Sequence, residues 1–169
     1  MASPLPSFMP PSSEPPWLSA EALASAARIL AGHQRAFGRP LLAGLHVDAS
    51  GRQRGQELFA ASTIVLAHDG GADPRLIYAN GAALQLWRRS WAEMVGMPSR
   101  LTAEPEQRAD RALALARARR QEALSGYGGI RVDREGRRSR IEAARLWTLR
   151  DEQGVDCGQA ASFSNWWWL

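Results

Sequence analysis

The first regular pattern in the chain is a series of apolar residues spaced three and four apart between residues 19 and 38. Ser19 stands where its side chain can cap the start of a helix, and Glu21 suits the first turn. Gly38 and Pro40 end the pattern. The spacing predicts an amphipathic helix over 19–38, with an apolar face formed by Ala22, Ala26, Ile29, Leu30, His33 and Phe37.

Two short apolar runs follow at 62–67 and 76–79, and the segment between them is rich in Asp, Gly and Pro. Such runs joined by turn-forming residues predict a β-hairpin. Asn80 and Gly81 then predict a turn into short helices. Trp87 and Trp91 lie four residues apart, so they would share one side of a helix that runs through both.

The second half of the chain predicts one longer helix and three strands. Thr102 can cap the helix, which starts at 104–106 with Pro105 in its first turn and runs to about Leu124. Three segments of alternating polarity follow, separated by Gly-containing turns, and they predict an antiparallel meander. In the longest strand we expect one buried parity, made up of Ile141, Ala143, Trp147 and Leu149.

The N-terminal segment and the charge pattern limit the partners that we expect. Residues 1–16 hold six prolines and four serines, so we expect a disordered tail over 1–17. The net charge is +4, and all 21 basic residues are arginines, interleaved with 17 acidic residues. The arginines reflect either codon bias or bidentate contacts with anions. This charge argues little about partners, and because no homeodomain or leucine-zipper pattern occurs, we expect no nucleic-acid partner.

Cysteine usage and hydropathy point to the cytoplasm. A single cysteine, Cys157, excludes an intramolecular disulfide. No signal-peptide pattern and no apolar stretch of roughly 20 residues occurs, so we expect neither secretion nor a membrane partner. His33, His46, His68 and Cys157 lack the spacing of metal ligands, and no nucleophile or nucleotide-binding motif occurs. We therefore predict that the chain is not an enzyme.

Three segments of the chain carry a family resemblance: VLAHDGGADPRLIYANGAALQLW, SWAEMVGMPSRLTAEP and GYGGIRVDREGRRSRIEAARLWTLRDEQGVDCGQAASFSNW. They resemble the MEKHLA domain family, a PAS-related family, and in particular its stand-alone bacterial members. The resemblance implies an α+β, PAS-like fold: a five-stranded antiparallel sheet with helices packed on one face and an N-terminal amphipathic helix. It places the domain at 18–168 and its PAS-like core at 56–166.

By analogy with PAS domains, a ligand would lie between the sheet and the short helices. The resemblance then implies a pocket lined by Tyr78, Asn80, Trp87, Trp91, Tyr127, Arg140, Ile141, Glu142, Trp147 and Phe163. The alternative is that the aromatic residues are core, that Asn80 caps a helix, and that Arg140 and Glu142 form an ion pair.

Two functions remain open at this point. One is a non-catalytic sensory or regulatory module that binds a small ligand in an aromatic-lined pocket, with the cofactor unknown. The other is a protein-interaction module with a filled core, for instance a homodimer formed through the helix at 19–38.

Overall fold

The computed structural model describes residues 13–169, and residues 1–12, which hold most of the expected tail, lie outside the described residues. The described end of that segment enters a short 3-10 helix, Pro16–Leu18. Trp17 stacks on Phe59 with 3.9 Å between the ring centroids. Trp17 is therefore packed against the folded domain, although the sequence pattern assigned it to the tail.

Five α-helices and six strands make up the described residues. The helices are α1 (Ala20–Phe37), α2 (Gly51–Ala60), α3 (Gly81–Trp87), α4 (Trp91–Met94) and α5 (Pro105–Gln121), and a second 3-10 helix spans Ser99–Thr102. The strands are β1 (Ile64–Asp69), β2 (Leu76–Ala79), β3 (Ala123–Val132), β4 (Arg138–Arg150), β5 (Asp156–Phe163) and β6 (Asn165–Trp168).

All strands belong to one antiparallel sheet, in the order β2-β1-β5-β4-β3. The predicted fold class, with its hairpin and its meander, is confirmed. A sixth strand adds to it, because β6 pairs with Ser139 to Glu142 of β4, while β5 pairs with Arg145 to Arg150. The long strand β4 therefore pairs with two successive strands: β6 lies along its first part and β5 along its second part.

Helices cover both faces of the sheet, although the resemblance implied helices packed on one face, because α2 packs beside the N-terminal helix α1 on the second face. We call the side that packs against α3 and α5 the inner face and the side that packs against α1 and α2 the outer face. The inner cluster consists of Ile64, Leu66, Leu76, Ala79, Ala83, Leu86, Trp87, Met94, Ile141, Ala144 and Phe163. The outer cluster consists of Ala26, Ile29, Leu58, Val65, Ala67, Tyr78, Trp147, Leu149 and Ala160.

The N-terminal helix forms as the sequence predicts and packs on the outer face. The Ser19 side chain accepts a hydrogen bond from the backbone N–H of Ala22, and Gly38 ends the helix in a left-handed conformation. Ile29 is fully buried, and its carbonyl accepts a hydrogen bond from Nε1 of Trp147 at 3.1 Å. The apolar face of α1 is thus covered by the chain's own sheet.

His33 is buried beneath α1 with both ring nitrogens engaged. Nδ1 donates to the Arg39 carbonyl at 2.9 Å, so Nε2 of the neutral ring accepts from the Arg145 guanidinium at 3.2 Å. Burial is the main reason that the pKa of His33 is lowered, and the charge of Arg145 lowers it further. His33 is therefore a neutral core residue.

A β-bulge at Ala143 reverses the parity of β4. Ala143 has a left-handed backbone with φ of 54°, and the pairing of β4 with β3 shifts at this point. Ile141 on one side of the bulge belongs to the inner cluster, whereas Trp147 and Leu149 on the other side belong to the outer cluster. The prediction of one buried parity along this strand is wrong, because the extra residue turns all later side chains over.

A helix break likewise separates Trp87 from Trp91. Arg88 ends α3 with φ of 54°, and Ser90 starts α4 with a capping box that includes Glu93. Since no single helix runs through both tryptophans, Trp87 packs in the inner cluster and Trp91 packs beside the outer cluster.

Candidate ligand-binding site

A cavity, hereafter the inner cavity, lies between the inner face of the sheet, α3 and α5. The space open to the centres of water molecules is about 40 Å³, enough for roughly three waters at about 10–15 Å³ each. Most of its wall is apolar and is made up of Leu66, Leu76, Trp87, Leu115, Ile141, Ala144, Leu146, Ala161 and Phe163. Such a wall suits the apolar part of a small ligand.

Trp87 is the largest side chain in this wall, and two contacts hold it in place. Its Nε1 donates to the Thr102 carbonyl at 3.2 Å, and its ring meets Phe163 edge to face at 6.3 Å between centroids. Asn80 starts α3, the helix that carries Trp87. Contacts within the protein therefore fix the position of Trp87 in the wall.

The other end of the inner cavity is polar and includes two arginines. Arg131 is only 5% exposed; it donates through Nη2 to the Tyr127 hydroxyl at 2.8 Å and through Nη1 to the Ile130 carbonyl at 2.9 Å. Arg111 reaches the same cavity from α5. Burial, and next the charge of Arg131, lower the pKa of Arg111 to about 10, which still leaves its guanidinium charged at neutral pH.

His68 and Gln159 complete the polar end. The Nδ1 of His68 donates to the Asp69 carbonyl at 2.8 Å, which leaves Nε2 of the neutral ring as an acceptor, and this buried atom has no hydrogen-bond partner. Burial is the main cause of the lowered pKa of His68, and the charge of Arg111 adds to it. Gln159 donates to the Leu115 carbonyl at 2.8 Å and so ties α5 to the sheet.

A glycine makes room for the buried guanidinium. A Cβ placed on Gly129 would lie 3.0 Å from Nη1 of Arg131 and 3.5 Å from the Tyr127 hydroxyl. Gly129 and Arg131 both lie on the buried parity of β3, whereas Ile130 and Val132 are only half buried. The absence of a side chain at Gly129 thus lets Arg131 fold against the sheet.

The structure brings three of the predicted pocket aromatics together and separates the others. Trp87, Tyr127 and Phe163 line the inner cavity, as does Ile141. Tyr78 and Trp147 lie in the outer cluster, and Trp91 meets Tyr78 edge to face at 5.5 Å. The bulge at Ala143 and the helix break at Arg88 account for the placement of Trp147 and Trp91. The hydroxyl of Tyr78 has no partner, and burial raises its pKa.

Arg140 and Glu142 lie outside the inner cavity. They form an ion pair at 3.8 Å along the same strand, and both side chains are substantially exposed. Exposed pairs of this kind contribute about 0–1 kcal/mol to stability. The two residues therefore form an ion pair within one strand, whereas the sequence predicts an ion pair across two strands.

Asn80 has a structural role and does not line the inner cavity. It is fully buried, and its Oδ1 accepts from the backbone N–H groups of Val65 at 3.0 Å and Ala83 at 3.1 Å. Its Nδ2 donates to three carbonyls, at 2.7 Å for Thr63, 3.3 Å for Leu58 and 3.4 Å for Ala61. Asn80 therefore caps α3 and joins it to β1 and α2.

The sequence pattern gives only a weak sign of the polar end of the inner cavity. His68, Arg111, Arg131 and Gln159 line the inner cavity, yet none of them was proposed as a site residue. The shared parity of Tyr127, Gly129 and Arg131 was the available sign. It was hidden because Ile130 and Val132 made the other parity look apolar.

The family follows from the extent of a sequence match. A sequence model of the MEKHLA domain matches residues 23–168, which include every strand of the sheet and both walls of the inner cavity. The chain belongs to the MEKHLA domain family. No curated protein matches this MEKHLA domain in sequence.

Solved structures with the same fold are PAS and light-oxygen-voltage domains. The PAS domain of a Colwellia psychrerythraea protein has a TM-score of 0.59 and 16% identity, over 66% of this chain and 92% of that one. An RNA-binding light-oxygen-voltage receptor has a TM-score of 0.58 and 19% identity, over 73% of this chain and 35% of that one. A variant of Vivid has a TM-score of 0.55 and 16% identity, over 81% of this chain and 99% of that one. At these identities the likeness shows that the MEKHLA domain has the PAS fold.

Residues 13–169 of this MEKHLA domain hold neither a metal-binding cluster nor a membrane-spanning helix. In that part of the chain, no group of three or more His, Cys, Asp and Glu side chains could hold a metal ion. No described helix is both long and apolar enough to cross a bilayer. Burial raises the pKa of the half-buried Cys157 thiol, which disfavours the reactive thiolate.

Proposed function

We propose that this MEKHLA domain is a non-catalytic sensory or regulatory module that binds a small ligand in the inner cavity. The observation that carries the proposal is a cavity inside the fold with an apolar wall and a polar end, the arrangement typical of ligand sites. The PAS fold of the domain supports the same function.

Two observations favour a small ligand. The inner cavity holds roughly three waters, and its wall residues are held by their own contacts, such as the hydrogen bond from Trp87 to Thr102. Leu115 and Arg111 of α5 line one side of the inner cavity, so a ligand bound there would contact α5. A ligand can therefore shift the balance between positions of α5, which is how binding becomes a signal.

The interaction-module alternative has less support. It was motivated by the apolar face of the helix at 19–38, and that face is buried against the sheet through Ala26 and Ile29. The exposed large apolar residues are scattered over the described surface, at Val47, Leu101, Leu113, Val155, Trp167 and Leu169.

The proposal is tested by filling the inner cavity. The Ala144→Leu variant adds three carbon atoms to the apolar wall, and Ala24→Leu adds them at an exposed site on α1 as a matched control. The purified proteins are examined by native mass spectrometry and by thermal unfolding with indole, phenol, short-chain carboxylates and their amides. We expect bound mass or a saturable rise in Tm for the wild type and Ala24→Leu, and neither for Ala144→Leu.

The proposal fails if the wild type carries nothing and no compound changes its Tm. It also fails if Ala144→Leu folds and binds the same compounds with unchanged affinity, since the ligand would then lie elsewhere.

A further inference from the structure

The two arginines of the inner cavity lack an acidic partner. Among residues 13–169, no Asp or Glu oxygen lies within 4.0 Å of a guanidinium nitrogen of Arg111 or Arg131. The two hydrogen bonds of Arg131 go to the Tyr127 hydroxyl and to the Ile130 backbone carbonyl. Since a guanidinium carries about five N–H donors, Arg131 keeps unused ones at the cavity end.

Burial makes this arrangement costly without an anion. Arg131 is only 5% exposed, and the pKa of Arg111 is lowered first by burial and next by the charge of Arg131. Like charges in a partly dry site repel each other and also lose hydration. An anion placed between the two guanidinium groups would relieve both effects, and a carboxylate matches their planar donors.

A third polar group lies at the same end. Nε2 of His68 is buried without a partner, and the charge of Arg111 reaches His68 as well. Three residues with polar side chains thus line one small volume: Arg111, Arg131 and His68.

The approach to the polar end is also positively charged. A surface cleft between α5 and the loop from β1 to β2 shares His68, Arg111, Leu115 and Gln159 with the inner cavity, so it leads to the polar end. We call it the basic cleft, because its lining includes Arg100, Arg108, Arg111, Arg119 and Arg120. Arg100 is paired with Asp73 and Arg119 with Asp156, which leaves an excess of positive charge. Such a cleft raises the local concentration of anions.

We propose that the inner cavity binds a small organic carboxylate, whose carboxylate group is held by Arg111 and Arg131 and whose short apolar part lies against the wall at Trp87. This inference rests on the proposed function and adds the chemical class of the ligand. The limited volume selects short chains, and the aromatic wall at Trp87 and Phe163 contacts their carbon atoms.

The test compares carboxylates with uncharged molecules of the same shape. Acetate, propionate, butyrate and benzoate are titrated against the full-length protein by calorimetry and thermal unfolding at constant ionic strength, together with the four corresponding amides. We expect at least one carboxylate to bind saturably and its amide to bind at least tenfold more weakly. The same concentration of chloride or sulfate should not reproduce the rise in Tm.

Three variants locate the anion. Arg111→Met and Arg131→Met should each weaken carboxylate binding at least tenfold, whereas Arg117→Met, at an exposed site on the same helix, should leave it unchanged. Arg111 is only half buried, so Arg111→Met keeps the test valid if Arg131→Met does not fold. Without ligand, Arg111→Met should have a Tm equal to or above that of the wild type, because it removes one of two repelling charges.

Different results overturn different claims. If amides bind as well as carboxylates, or if Arg111→Met binds a carboxylate with wild-type affinity, the anion inference is wrong while the proposed function stands. If simple salts reproduce the Tm effect, the inference is also wrong. If no carboxylate, amide, indole or phenol binds at all, the proposed function itself fails.

Discussion

Replacing Asn80 by alanine should remove a connection on which three parts of the fold depend. The change leaves the backbone N–H groups of Val65 and Ala83 and the carbonyl of Thr63 without their partner at 2.7–3.1 Å, in a place where Asn80 is fully buried. Each buried group left unpaired costs about 1–3 kcal/mol. The three costs overlap because α3 can relax, so we expect a loss of about 3–5 kcal/mol.

Urea unfolding followed by circular dichroism and tryptophan fluorescence measures this loss. Serine at position 80 can still cap α3 at Ala83, and capping contributes about 1 kcal/mol, so Asn80→Ser should be less destabilised than Asn80→Ala. Gln85→Ala, at an exposed position of the same helix, should change stability by less than about 0.5 kcal/mol. A loss below about 1 kcal/mol for Asn80→Ala would refute the reasoning.

The Asn80→Asp variant keeps the shape of the side chain and removes its two N–H donors. Asn80→Asp keeps one acceptor oxygen but directs the other at the carbonyls of Leu58, Ala61 and Thr63. These dipoles and burial raise the pKa of the new carboxyl above its ordinary value of about 3.9. The variant should therefore lose stability as pH rises from about 4 toward 8. Equal stabilities at pH 5 and pH 8, relative to the wild type, would contradict this account.

Two further predictions concern a buried base and a close backbone approach. The pKa values of His33 and His68 are lowered in the folded state, so the unfolded chain binds protons at a higher pH than the folded chain does. The urea midpoint should therefore fall as pH drops below about 6.5. His33→Gln should weaken this dependence. An unchanged midpoint between pH 7.5 and pH 5.5 would contradict it. Gly158→Ala should cost about 3 kcal/mol or more in urea unfolding, because φ is +147° and the new Cβ would lie 2.1 Å from the His68 carbonyl oxygen. Gly154→Ala, with φ of +77° and no atom within 4 Å, should cost only about 1–2 kcal/mol, and equal losses would show that the contact at His68 is unimportant.

Local patterns predict the elements of this fold because each pattern depends on neighbouring residues. The cap at Ser19, the stop at Gly38 and the role of Asn80 at the start of α3 follow from side-chain chemistry within a few positions. The bulge at Ala143 does not, because alanine gives no sign that it will adopt a left-handed backbone. One such residue transfers Trp147 from the inner to the outer face.

The candidate site was predictable only in its apolar part. Trp87 and Phe163 are aromatic residues on elements whose order resembles a PAS domain, so the resemblance placed them at the ligand position. Arg111 and Arg131 belong to a helix and a strand rich in charged residues, where an arginine is ordinarily a solvated side chain. Only the folded arrangement shows that the two guanidinium groups meet at one cavity and lack a carboxylate.

The position of β4 between the two helical layers has a mechanical consequence. Leu146 and Trp147 are consecutive residues: the first lines the inner cavity, and the second holds α1 through the Ile29 carbonyl. Arg35 of α1 also donates a hydrogen bond to the carbonyl of the next residue, Thr148, at 3.2 Å. Because both side chains belong to β4, a movement of this strand at the inner face also moves it at the outer face. We therefore expect a ligand that displaces Leu146 to move Trp147 and Thr148 and the hydrogen bonds that they make with α1.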